Sequence, residues 1–270
     1  MLLITQKSMT TIISGNWKMN GSKAMINQWF EDFTKSATEF ESNNQIDKNK
    51  LPVILLCIPD IYIDYAQQLA EKYNSKMKYF KVLIGAEDVH YEEKGAFTGN
   101  ISPLFLNEMN CKYVLIGHSE RRQYQKETDE LVAKKSNAAL AHNITPFVCF
   151  GEDLATREAG KHLEVVGEQV LNSTAGLDLT KVVLSYEPVW AIGSGKIPTS
   201  AEIEEMGEYI QQLIKKTKNV DPSNLTIVYG GSVKASNASE ILHTKSINGV
   251  LVGGASMKGE EFFGIVKGSF

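Results

Sequence analysis

TIVYGGSVKASNASEILHTKSINGVLVGG, residues Thr226–Gly254, holds the repeating unit of this chain in its plainest form. Two apolar runs, Thr226–Gly230 and Gly249–Gly253, each lead into a pair of glycines, Gly230-Gly231 and Gly253-Gly254. Neither run alternates with polar residues, so each reads as a strand buried on both faces, the pattern of a parallel sheet. Similar runs occur upstream at Thr11–Ser14, Val53–Ile58, Lys81–Gly85, Tyr113–Gly117, Thr145–Phe150 and Lys181–Glu187, which brings the count to eight.

Between the runs the apolar spacing changes to that of helices. Met25, Ile26, Trp29, Phe30 and Phe33 form one stripe after Ser22. Thr199-Ser200-Ala201-Glu202 is a capping box ahead of the stripe Ile203, Met206, Ile210 and Leu213. Thr128 opens a further helix, with Asp129 and Glu130 in the first turn where the helix dipole favours them. Strands covered on both faces and joined by right-handed crossovers leave an open doubly wound sheet or a closed barrel. Eight units in about 250 residues fit a single-domain (β/α)8 barrel. Polar Glu41–Lys50 reads as a surface loop, and no domain boundary is visible.

Composition narrows the function. The 270 residues are 43% hydrophobic and 22% charged, the balance of a globular protein, with a formal net charge of -4. Nothing in that charge favours nucleic acid or an anionic membrane as partner, so an anionic ligand has to be held locally. No apolar run is long enough for a membrane span. Cys57, Cys111 and Cys149 are an odd number inside apolar runs, as expected of a reduced, cytoplasmic protein. Metal spacings such as H-E-x-x-H or C-x-x-C are absent from the sequence, and no metal is expected.

Ligands of parallel α/β folds bind at the carboxyl ends of the strands. Those ends read Gly15-Asn16-Trp17-Lys18-Met19-Asn20, Gly117-His118-Ser119-Glu120-Arg121-Arg122, Tyr186-Glu187-Pro188-Val189-Trp190, Gly230-Gly231-Ser232-Val233 and Gly253-Gly254-Ala255-Ser256. Singly, a lysine, histidine or glutamate at a strand end has a solvated or structural explanation. Bare glycine backbone on the last two strands suits a phosphate cradle. Ala191–Lys196 (AIGSGK) fails as a nucleotide loop, since G-x-x-x-x-G-K needs a glycine at Trp190. It reads better as a lid hinged at Pro188-Val189-Trp190 and at Lys196-Ile197-Pro198.

Together and in order, N-W-K-M-N at Asn16–Asn20, I-G-H-S-E-R-R at Ile116–Arg122, Y-E-P-V-W-A-I-G-x-G-K at Tyr186–Lys196, Y-G-G-S-V at Tyr229–Val233 and G-V-L-V-G-G-A-S at Gly249–Ser256 resemble the triosephosphate isomerase family. G-A-F-T-G at Gly95–Gly99 belongs to the same pattern. The resemblance implies a TIM barrel over residues 10–270 that interconverts dihydroxyacetone phosphate and D-glyceraldehyde 3-phosphate in glycolysis and gluconeogenesis, without a cofactor and as a homodimer. It makes Glu187 the base, His118 the electrophile and Lys18, with Asn16, a donor to the enediolate. Glu120 is then the carboxylate that steadies Lys18, and Ser119 the hydroxyl that holds Glu187 before closure. Gly193, Ser232, Gly253 and Gly254 become the phosphate-binding amides, and Ile192 and Leu251 the apolar pair over the base.

Four places depart from the family pattern. Ser194 replaces a lid threonine, and Pro198 occupies a flexible hinge position. Glu87-Asp88 takes the place of Gln-Asn, and Asn100 that of a glutamate, which is expected to leave Glu127 as the remaining partner of Arg121. Both of the last two changes lie near the loop that enters the neighbouring subunit in the family. Met1–Met9 precedes the pattern and reads as an N-terminal extension, disordered or left by cloning.

Overall fold

Eight short strands run parallel in a computed structural model that describes residues 10–192 and 196–270. They are β1 Ile12–Asn16, β2 Val53–Cys57, β3 Val82–Gly85, β4 Tyr113–Ile116, β5 Thr145–Phe150, β6 Val183–Tyr186, β7 Thr226–Tyr229 and β8 Gly249–Val252. Their order is β3-β2-β1-β8-β7-β6-β5-β4. The remaining seam closes through Ala86, whose N–H donates to Tyr113 O at 3.1 Å and whose carbonyl accepts from Leu115 N at 3.0 Å. The open-sheet alternative is thereby excluded, and the fold is a single-domain (β/α)8 barrel.

The helices are α1 Lys23–Asn43, α2 Ile63–Asn74, α3 Pro103–Glu108, α4 Ser119–Tyr124, α5 Asp129–Ala141, α6 Leu154–Glu158, α7 His162–Ser173, α8 Ser200–Lys218, α9 Ala238–Leu242 and α10 Gly259–Lys267. Ser22, Thr128 and Thr199 cap α1, α5 and α8 through their side-chain oxygens, and Thr199 and Glu202 form the full reciprocal box. Two details differ from the sequence reading. Glu41–Asn43 prolongs α1 and Lys48–Lys50 winds into a short 3-10 turn, because Phe40 still packs on the core and Asp47 caps the turn. The apolar stripe of α8 ends in buried Ile214 rather than Leu213.

Alternation along each strand sorts the core into two layers. Ile12, Leu55, Cys57, Leu115, Phe147, Cys149, Val183, Val228 and Leu251 fill the barrel interior. The opposite parity packs against the helices, with Trp29 and Phe33 of α1 meeting Phe262 and Phe263 of α10 and Phe30 stacked on Tyr73 of α2. Continuing the inward parity of β1 from Ile12 through Ser14 leads to Asn16, and that of β6 from Val183 through Ser185 leads to Glu187. The lower barrel is therefore apolar, and the polar inward positions collect at one end.

Candidate active site

Glu187 follows β6 and is 1% exposed. Its N–H donates to Phe150 O at 2.7 Å, which holds the main chain of the residue against β5. A Cβ on Gly151 would lie 1.7 Å from Glu187 O, so only glycine at 151 lets the two strands approach this closely. One carboxylate oxygen, Oε2, accepts from the main-chain N–H of Ser119 at 3.3 Å, and Oε1 has no hydrogen-bond partner. The Ser119 contact thus runs through the backbone and not through the hydroxyl. A buried carboxylate oxygen without a donor is costly, and here it belongs to a side chain that lines a cavity of about 380 Å3.

His118 reaches the same cavity because Gly117, at φ +71, turns the chain out of β4 in a conformation that side chains rarely adopt. His118 then caps α4: its Nδ1 accepts from the Glu120 N–H at 3.3 Å. A ring nitrogen that accepts carries no proton, so in the neutral ring the proton sits on Nε2. Nε2 lies 3.8 Å from Glu187 Oε2, too far for a hydrogen bond, and both atoms face the cavity. Lys18 adopts φ +57, held by its own N–H donating to Asn16 Oδ1 at 3.0 Å. Its ammonium sits 2.5 Å from Glu120 Oε1. Glu120 therefore fixes the lysine through its side chain and the imidazole through its main chain.

Ser232, Gly253 and Gly254 line the same cavity, as do the apolar Ile192 and Leu251. Nothing lies within 4 Å of where a Cβ would stand on Gly253 or Gly254, so bare backbone borders open space. The turn Gly254–Met257 is pinned from behind, since Ser256 O accepts from Trp17 Nε1 at 3.2 Å and Trp29 Nε1 at 2.8 Å. Ser232 Oγ donates to Ala191 O at 2.9 Å and ties the β7 rim to the segment after Glu187. Asn16, Lys18, His118, Glu187, Ser232, Gly253 and Gly254 are thus brought to one cavity. Gly193, and with it Ser194 and Gly195, lies outside the described residues, as does Met1–Met9. Lys234, Lys258 and Glu261 also line the cavity, which no motif in the sequence announced. Among the described residues no group of three His, Cys, Asp or Glu side chains is placed to hold a metal ion.

The neighbouring charges differ in one respect from expectation. Arg121 keeps Glu127 at 2.8 Å, and Asp88 supplies a second carboxylate at 2.7 Å. Lys135, 4% exposed, bridges the same two carboxylates. Asp88 therefore joins the network of Arg121 where the sequence reading saw only a lost glutamate. Burial raises Glu127, but the Lys135 and Arg121 cations outweigh it and hold that carboxyl below its usual range. The Cys149 thiol is pushed far up by burial and then by the Glu187 carboxylate, which leaves it a protonated, unreactive group.

Next to this network, burial and the Asp60 carboxylate push Glu87 from the usual 4.5 to about 8, with Glu120 adding to the shift and Lys18 opposing it. The folded chain then binds a proton that the unfolded chain releases, so stability falls as pH rises from about 4.5 to about 8 and is level above that. Glu87→Gln is expected to raise Tm at pH 8 by roughly 4–8 °C, about 2 kcal/mol, with the gain shrinking toward pH 5. Thermal unfolding at the two pH values checks this, and a gain independent of pH contradicts it.

Fold and rim define a single-domain (β/α)8 barrel with a polar cavity at the carboxyl ends of its strands. A sequence model of the family described as triosephosphate isomerase matches residues 11–269. Triosephosphate isomerase of Alkaliphilus oremlandii (strain OhILAs) is 42% identical over 261 residues, covering 95% of this chain and 98% of that protein. The crystal structure of triosephosphate isomerase from Bartonella henselae at 1.6 Å superposes with a TM-score of 0.81 at 31% identity, over 96% of this chain and 98% of that one. The chain belongs to the triosephosphate isomerase family, and it interconverts dihydroxyacetone phosphate and glyceraldehyde 3-phosphate.

Proposed function

We propose that this isomerisation runs through Glu187 as the single base, with His118 and Lys18 on the substrate oxygens. The observation that carries the reading is the buried carboxylate of Glu187, with one undonated oxygen, facing a cavity shared with an imidazole Nε2 and an ammonium group. Glu187 takes the proton from the carbon next to the carbonyl, and the bonding pair forms the C=C bond of an enediolate. The charge this places on oxygen meets the Nε2–H of His118 and the ammonium of Lys18, donors set in place before the reaction begins. A proton passes between the two enediolate oxygens, and return of the carbon-bound proton from Glu187 to the neighbouring carbon completes the interconversion.

Asn16 and Glu120 orient Lys18, and Ser119 holds Glu187 through its main-chain N–H. Ser232, Gly253, Gly254 and Gly193 are the proposed phosphate-binding amides. The segment between the hinges at 188–190 and 196–198 covers the substrate and brings Ile192 against Leu251, which dries the base. An assay that converts one triose phosphate to the other tests the reading; purified protein inert toward both at millimolar concentration overturns it.

The working unit in this reading is a cytoplasmic homodimer. Its support is an unpartnered face around the strand ends of β1 to β4. Met19, Ile61 and Tyr124 are exposed there, in a cleft of about 560 Å3 also lined by Lys18, Asp60, Glu87 and Arg121. The loop Gly95–Gly99 of a second copy is its proposed occupant. Sedimentation is expected to give a dimer at micromolar concentration, and a fully active monomer contradicts the assignment. The three cysteines are free and buried, in keeping with a reducing compartment.

A further inference from the structure

We infer that Arg122 is a positioning residue that sets the imidazole of His118 against the carboxylate of Glu187. The inference rests on the isomerase mechanism above, in which Arg122 itself has no part. Arg122 lies on α4, outside the lining of the substrate cavity, with a side chain 17% exposed. Its Nε donates to Gly117 O at 2.7 Å, and its main-chain N–H donates to His118 O at 3.1 Å. Both carbonyls that flank the His118 side chain are thus held by one residue. Gly117, which turns the chain out of β4, has no side chain with which to anchor that turn itself, and a Cβ there would stand 2.6 Å from Val132 Cγ2.

The same guanidinium reaches the neighbouring strand. Nη2 donates to Cys149 O at 2.9 Å, and Nε stands 3.3 Å from that oxygen. Cys149 precedes Phe150, whose carbonyl holds the Glu187 N–H at 2.7 Å. One planar fork therefore joins the β4 end that carries His118 to the β5 end on which Glu187 rests. The far edge of the fork is anchored in turn: Nη1 pairs with Asp129 Oδ1 at 2.5 Å, Nη2 also donates to Ser173 Oγ at 2.9 Å, and Ser173 Oγ donates to Asp129 Oδ1 at 2.8 Å. Asp129 of α5 offsets the cation, and with Ser173 of α7 it fixes the plane from which the carbonyls receive their charge-assisted bonds. An ammonium group presents a single nitrogen and reaches only part of this set.

His118 Nε2 and Glu187 Oε2 are 3.8 Å apart, with no hydrogen bond between them to fix that distance. The main chain on either side sets it, and Arg122 holds that main chain. A displacement of about 1 Å between reacting groups costs about 10²-fold in rate. Loss of the fork is therefore expected to slow the chemical step and to leave the phosphate end of the cavity as it is.

The test compares the full-length parent protein with Arg122→Lys, Arg122→Ala and the double variant Arg122→Met/Asp129→Asn, reading kcat and the inhibition constant of inorganic phosphate. Arg122→Ala is expected to lower kcat about 10²-fold, with Arg122→Lys in between because it keeps a cation beside Asp129. In the mechanism above phosphate binds amides on the β7 and β8 rim, so its inhibition constant is expected to stay within about twofold of the parent's. Millimolar guanidinium is expected to raise the kcat of Arg122→Ala at least fivefold, since the side chain it replaces borders a separate cavity of about 450 Å3. Arg122→Lys retains the ion pair and the double variant leaves no unpaired carboxylate, so both remain readable if Arg122→Ala fails to fold. Folded variants with the parent's kcat, or with a phosphate inhibition constant that rises in step with the loss of kcat, overturn the inference. A parent without isomerase activity overturns the mechanism it rests on instead.

Discussion

Glu187→Gln is expected to lower kcat by about 10³–10⁴-fold, the upper part of the range that a positioned general base supplies, with a much smaller change in KM. The substitution keeps the shape of the side chain and its acceptor for the Ser119 N–H, so the fold is left intact. What it removes is the basic oxygen that has no donor in the free enzyme. Since the side chain is 1% exposed, water cannot take over from it at the same place. Steady-state kinetics on protein of unchanged Tm checks the prediction. A loss below tenfold would mean that another group takes the proton.

Lys18→Met is expected to cost about 10³-fold or more in kcat/KM. Methionine preserves the length and apolar stem of the lysine but takes away a cation fixed 2.5 Å from Glu120 before substrate arrives. Removing one preorganised donor from a developing oxyanion costs about 10²–10³ in kcat, and a dianionic substrate also loses ground-state attraction, which raises KM. Stability should change little, because the Lys18–Glu120 pair is partly exposed and such pairs contribute little to folding. Kinetics together with thermal unfolding separates the two effects. A variant that loses Tm in step with activity would make the lysine a structural residue.

Much of this was legible in the sequence for a physical reason. Strands buried on both faces leave uninterrupted apolar runs, and the eight runs pointed to a barrel and to the rim on which Asn16, Lys18, His118, Glu187 and Ser232 meet, while closure became visible only in the seam at Ala86. The inward parity that carries Ile12 to Asn16 and Val183 to Glu187 follows from strand alternation alone. Contacts between distant segments were not legible. That Asp88 joins Glu127 on Arg121, with Lys135 buried between them, depends on α5 packing beside the β3 loop. Arg157 of α6 likewise pairs with Glu152 and with Glu202, which lie far apart along the chain. No local spacing announces either one, since a lysine or arginine on a helix reads as a solvated charge until its neighbours are known. The prolongation of α1 through Asn43 was hidden by a polar run whose residues face water on a helix as readily as in a loop.

The most direct test of a single buried base is to convert glyceraldehyde 3-phosphate in D2O and locate the deuterium in the product by proton NMR. Transfer by the one base Glu187 predicts that dihydroxyacetone phosphate keeps the substrate's proton at C1 wherever transfer outruns exchange, and that any deuterium taken up by exchange at Glu187 enters only one of the two C1 positions; Glu187→Gln should slow product formation in step with kcat. Deuterium distributed equally over both C1 positions would contradict the account.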